Sequence, residues 1–96
     1  MPRTWYLMSS HGVVLLHIAR NPGSTLREMS EALDLTERRI SQIVRDLADA
    51  DYLAIQRVGR RSFYTVNESA SVSHPALESI VLRDVLGLLT SPTAQG

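Results

Sequence analysis

Apolar residues recur along this 96-residue chain with two different spacings, and each change of spacing marks a new element. Ser9 or Ser10 is placed to cap a first helix running to about Arg20, where Asn21-Pro22-Gly23 stops it. Its inward face is expected to hold Val13, Val14, His17 and Ile18, broadened by Leu15 and Leu16. Thr25 followed by Glu28 three residues later fits a capping box for a second helix at about Leu26 to Leu33, with Leu26, Met29 and Leu33 on one face. After Asp34-Leu35, Thr36 can cap a third helix from about Glu37 to Ala50. Its Ile40, Ile43, Val44 and Leu47 follow the i, i+3, i+4, i+7 rule. The period then drops to two. Leu53 and Ile55 alternate with polar neighbours, Val58-Gly59-Arg60-Arg61-Ser62 turns the chain, and Tyr64 and Val66 alternate on the way back, giving a hairpin over about Leu53 to Val66.

Beyond a polar connector at Asn67 to Ser73, His74-Pro75 is expected to open a last helix, since proline suits a first turn whose N–H would be unpaired anyway. Leu77, Ile80, Val81, Val85 and Leu88 form one apolar stripe there, and Leu82, Leu86 and Leu89 a flanking one. A helix apolar over most of its circumference needs cover on more than one side. One small domain supplies one side, and a second copy of the chain would supply the other. The expected organisation is therefore a helix-turn-helix and hairpin unit at 1–73, a C-terminal helix at 74–90 forming a dimer interface, and a flexible tail at 91–96. No internal repeat is visible.

Composition narrows the options. Ninety-six residues make one domain with a modest core, and 44% apolar content suits a globular chain. No cysteine is present, which removes disulfides and thiolate metal sites. The first residues, Met1 to Trp5, lack the apolar run of a signal peptide. Val13 to Ile18 is apolar but short, and no stretch approaches the roughly 20 apolar residues of a membrane span. The expected setting is the cytoplasm, away from any membrane.

Net charge is zero, but it is unevenly spread. Residues 36–66 carry Arg38, Arg39, Arg45, Arg57, Arg60 and Arg61 against Glu37, Asp46, Asp49 and Asp51, whereas residues 67–96 carry Arg83 against Glu68, Glu78 and Asp84. Every basic side chain is arginine, whose planar fork suits bidentate contacts to phosphate and guanine, although a GC-rich genome would produce the same bias.

The phrase Leu26-Arg-Glu-Met-Ser-Glu-Ala-Leu-Asp-Leu-Thr-Glu-Arg-Arg-Ile-Ser-Gln-Ile-Val, continued by Asp46-Leu-Ala-Asp-Ala-Asp-Tyr-Leu and Gly59-Arg-Arg-Ser-Phe-Tyr-Thr-Val, resembles the winged helix-turn-helix transcription regulators of bacteria and archaea, in particular small MarR-like domains. The resemblance covers about residues 10 to 66. It implies a mainly α fold with a small β-hairpin (α+β) and a third helix lying in the major groove; the homodimer expected from the apolar face of residues 77–89 would then bind pseudo-palindromic DNA. The family usually carries glycine at the turn between the two helices and at the exit from the third; here Asp34 and Asp51 stand at those places. Aspartate enters the left-handed region more readily than most non-glycine residues.

By that resemblance Arg38, Arg39, Ser41, Gln42 and Arg45 would face the bases, and Arg57, Arg60 and Arg61 of the hairpin would reach phosphates or the minor groove. Thr25 and Thr36 are primarily caps whose helix N-termini can also hold phosphate. Residue types alone leave other roles open: a solvated charged helix face, and a charged turn that keeps the hairpin edge soluble. No enzyme is indicated. His11, His17 and His74 are scattered, His11 and His17 are six apart where a shared metal would need three or four, and no glycine-rich phosphate loop occurs. No metal or cofactor is expected, and His17 is expected to be a partly buried histidine. A small-molecule effector is conceivable at a dimer interface, but no residue identifies one. A second role fits the neutral charge and the four acids around the third helix: a winged-helix module for protein–protein contact in a larger assembly.

Overall fold

The computed structural model describes residues 8–72, 75–77 and 79–90. Three helices come first: α1 at Ser10–Arg20, α2 at Leu26–Leu33 and α3 at Glu37–Asp49. A hairpin follows, β1 at Leu53–Val58 and β2 at Arg61–Val66, and then a single 3-10 turn at Pro75–Leu77 and α4 at Leu82–Thr90. This is the α+β winged-helix architecture expected from the chain.

The helix starts fall where their caps lie. Ser9 accepts from the Gly12 N–H, Thr25 and Glu28 form a complete capping box, and Thr36 accepts from the Arg39 N–H. Asp34 has φ 56° and Asp51 φ 65°, so both aspartates do occupy the left-handed backbone region. At the exit of α3 the Asp51 N–H bonds to the Ala48 carbonyl at 3.0 Å and the Tyr52 N–H to the Leu47 carbonyl at 2.9 Å, a complete Schellman motif. Strands β1 and β2 pair antiparallel from Leu53 opposite Val66 to Val58 opposite Arg61. The turn is therefore only Gly59-Arg60, tighter than the five-residue turn read from the sequence, and Arg61 belongs to the strand. Gly59, at φ 64°, supplies the positive angle that a two-residue hairpin turn needs.

The core gathers residues from all four α-helices and both strands: Val14, Leu15 and Ile18 of α1, Met29 of α2, Ile40, Ile43, Val44 and Leu47 of α3, Leu53, Tyr64, and Leu82 and Leu86 of α4. Two expectations about burial change. In α1, Leu15 is buried and Val13 is only half-buried. In the hairpin, Ile55 lies on the same face as Leu53 and Tyr64 yet stays 46% exposed, where it lines an open groove with Ser41, Val44 and Arg45 of α3.

The C-terminal segment departs most from its expected form. The helix begins at Leu82, not at Pro75; His74 itself lies outside the described residues. The chain before Leu82 is extended instead: Val81 bridges Ser71, and the Val72 N–H bonds to the Ile80 carbonyl at 3.3 Å. Two adjacent β-branched residues, Ile80 and Val81, suit that conformation. The first N–H groups of α4 are then capped by main-chain carbonyls, Leu82 N–H to Ala70 at 2.7 Å and Arg83 N–H to Glu68 at 2.9 Å. The helix sits on α1 through the flanking stripe, Leu82 and Leu86, and this turns Leu88 outward at 83% exposure. Leu77 is 43% exposed, and Ile80, Val81 and Val85 are half-buried. The proposed tail at 91–96 lies outside the described residues.

Candidate nucleic-acid interface

Helix α3 buries one stripe and presents the opposite ridge to solvent. At 100° per residue, Arg38, Gln42, Arg45 and Asp49 lie farthest from the Ile40/Ile43/Val44/Leu47 stripe, and all four are exposed. Ser41 lies on one flank and is half-buried, where it lines a shallow groove with Arg45, Ile55 and Arg57. Arg39 and Asp46 fall on the other flank, towards α1. The five α3 residues expected as base readers therefore divide into an outer ridge of three and one residue on either side.

The turn before α3 is fixed by the backbone. With Asp34 left-handed, its N–H and that of Leu35 both bond to the Ser30 carbonyl, while the Ser30 hydroxyl donates to the Leu35 carbonyl. This sets the angle between α2 and α3 before any ligand is present.

On the hairpin, the three arginines have different surroundings. The Arg61 Nη2 donates to the Gly23 carbonyl at 2.7 Å, and its guanidinium stands 5.6 Å from the centre of the Phe63 ring. The Tyr64 N–H also bonds to the Pro22 carbonyl, at 3.3 Å. Arg61 thus clamps the hairpin to the α1–α2 connection. Arg57 and Arg60 form no ion pair among the described residues, nor do Arg38, Arg39 and Arg45. A cleft of about 570 Å³ lies between the start of α2 and the hairpin, lined among others by Thr25, Arg27, Arg57, Arg60 and Arg61, with Glu37 the acid in its wall. Arg27 is paired with Glu31 at 3.3 Å and Arg61 with the Gly23 carbonyl, so Arg57 and Arg60 are the cations of this cleft left open to an anion. Thr25 lines this cleft, while the Thr36 hydroxyl is engaged at the start of α3. The backbone N–H of Thr25 holds the Glu28 carboxyl below the usual carboxylate range, so the capping box stays ionised and closed.

One contact has no local signature in the sequence. His11 Nε2 of α1 lies 2.8 Å from Asp46 Oδ2, and Gln42 Nε2 donates to Asp46 Oδ1 at 2.9 Å. Hydrogen bonds from His11 first, and Gln42 second, hold the Asp46 carboxyl below its ordinary value. His17 is half-buried as expected, with Nε2 at 3.1 Å from the Ser24 hydroxyl. Among the described residues no cluster of three or more His, Asp or Glu could hold a metal, and no helix is long and apolar enough to cross a membrane.

A sequence profile described as the MarR family matches residues 9–62, which runs from the α1 cap into β2 and takes in the whole of the ridge, the helix-turn-helix turn and the hairpin tip. No curated protein and no solved structure matches the chain.

Proposed function

The chain belongs to the MarR family, and from that premise we propose that it is a sequence-specific DNA-binding transcription regulator acting as a homodimer in the prokaryotic cytoplasm. Helix α3 enters the major groove with Arg38, Gln42 and Arg45 towards the base edges, and Arg39 and Ser41 at its flanks. Arg57 and Arg60 of the wing reach the backbone or the adjacent minor groove, with Arg61 holding the wing at its angle. The observation that carries this is the groove lined by both Arg45 of α3 and Arg57 of the wing, which joins the recognition ridge to the hairpin in one cationic surface.

Dimerisation rests on the outward apolar side of the C-terminal segment, where Leu88 and Leu77 are exposed and Ile80, Val81 and Val85 are partly covered. The functional unit is then a winged-helix domain at 1–73 and a C-terminal dimer segment at 74–90.

Selecting bound duplexes from a random pool, then measuring their affinity against salt, tests the proposal. If two subunits each engage three phosphates, the slope of log affinity against log salt is about −5. Equal affinity for selected and scrambled duplexes, or no binding at low salt, rejects it. The zero net charge, and Asp49 on the ridge, favour a second role as a protein-contact module. Loss of DNA binding with an intact dimer in an Arg38→Ala, Gln42→Ala, Arg60→Ala variant separates the two.

A further inference from the structure

Gln42 lies on the recognition ridge, and its amide is not free to turn. An ionised carboxylate only accepts hydrogen bonds, and Asp46 uses one oxygen for each neighbour. Both neighbours must therefore donate. Gln42 turns its NH₂ towards Asp46 and its Oε1 away, while His11 carries a proton on Nε2. The reversed amide would set Oε1 against a carboxylate oxygen. With one N–H held by Asp46, Gln42 has Oε1 and its second N–H left for another molecule: one acceptor beside one donor.

We propose that Asp46, supported by His11 from α1, is a positioning residue that fixes the Gln42 amide to read adenine; this rests on the DNA-binding role proposed above. In the major groove adenine offers a donor at N6 beside an acceptor at N7, the complement of an acceptor beside a donor. Guanine offers two acceptors, O6 and N7, and meets Oε1 with repulsion. Cytosine offers only the N4 donor and can make one bond. Adenine alone satisfies both groups, so it is preferred at the base facing Gln42, and cytosine, guanine and thymine are each limited to one bond. His11 sits 35 residues away in sequence, so the orientation of a base-reading side chain is set by the packing of α1 on α3. Arg39, whose charge also favours the ionised form of Asp46, acts in the same direction.

The test compares the wild-type chain with Asp46→Ala, Asp46→Asn, His11→Ala and Gln42→Ala, each checked for folding by thermal melting. Sequence selection should show one position per half-site where the wild type prefers adenine over guanine by about 10-fold or more, within the range of a bidentate base contact. Asp46→Ala should reduce that preference to about 3-fold or less, and Asp46→Asn, whose amide oxygen can still accept from Gln42, should reduce it less; neither should weaken binding to scrambled DNA, since both remove a negative charge from the surface. His11→Ala should reduce it partway, and Gln42→Ala should abolish it. In the free protein, the side-chain amide resonances of Gln42 should shift on His11→Ala, a readout independent of DNA. Full adenine preference in both Asp46 variants, or equal loss of specific and non-specific binding, overturns the proposal while leaving the regulator role intact. Wild-type protein that binds no DNA, or selects no sequence, overturns both.

Discussion

Replacing Asp51 by asparagine, glycine and alanine separates two costs that meet at the exit of α3. The residue is exposed, has φ 65°, and its side chain makes no hydrogen bond among the described residues; the contact at this place is the Asn67 Nδ2 donating to the Asp51 main-chain carbonyl at 2.9 Å. That contact and the two Schellman bonds survive any side-chain change. Left-handed backbone costs an alanine about 1–2 kcal/mol relative to glycine. Glycine gives back about 0.5–1 kcal/mol through the greater freedom of its unfolded chain. Asp51→Ala should therefore be less stable than Asp51→Gly by about 0.5–1 kcal/mol, or about 2–8 °C in Tm for a domain of this size. Asparagine tolerates the same backbone and removes a negative charge from the negative end of the helix dipole, so Asp51→Asn should gain about 0.3–1 kcal/mol, less at high salt. Urea unfolding at one fixed protein concentration, with equal m values, reads these differences. An alanine variant as stable as the glycine variant would refute the assignment of left-handed strain.

Three further outcomes follow from the contacts. The Asp46 carboxyl should titrate below its ordinary value of 3.8, and His11→Ala should move the midpoint up in an NMR titration. Because the folded value is depressed, its contribution to stability is complete above that ordinary value and is lost as pH falls through the folded one. Thr36→Ala removes the oxygen that accepts the Arg39 N–H and should cost about 1 kcal/mol in urea unfolding, with faster amide exchange in the first turn of α3, where Arg38 and Arg39 sit. Leu88→Glu places a charge on the exposed side of α4 and should leave light scattering with only the 10.7 kDa species, while a wild-type-like mass would place the dimer contact elsewhere.

How much of this was legible in the sequence depends on the range of the interaction that decides each feature. The α3 stripe and the capping box at Thr25 and Glu28 are settled within four residues, so period and spacing reveal them. The left-handed aspartates are visible because glycine is the family's usual choice at those turns and aspartate is a tolerable replacement. The start of α4 is hidden, since carbonyls of Glu68 and Ala70 and the pairing of 71–72 with 80–81 determine it from outside the helix. Those contacts override the proline signal at Pro75. Within the candidate interface, the outer ridge of α3 follows from helical geometry alone. The Arg61 clamp on Gly23 and the link from His11 to Asp46 span 38 and 35 residues and leave no mark on local pattern.

The two-residue turn of the hairpin has a bearing on how such a protein can change. A Cβ built at Gly59 would meet no atom within 4 Å, whereas below the turn the hairpin is tied to Gly23 through the Arg61 side chain, to Pro22 through the Tyr64 N–H and, at its base, to Tyr52 through Asn67. New residue pairs added between Val58 and Arg61 would lengthen the projection by about 3.3 Å each while leaving the register beneath them unaltered. A single added residue would instead bulge one strand and re-aim the tip. The reach of this arm is thus a dimension that insertion can adjust at its outer end, independently of the packed layer that carries it.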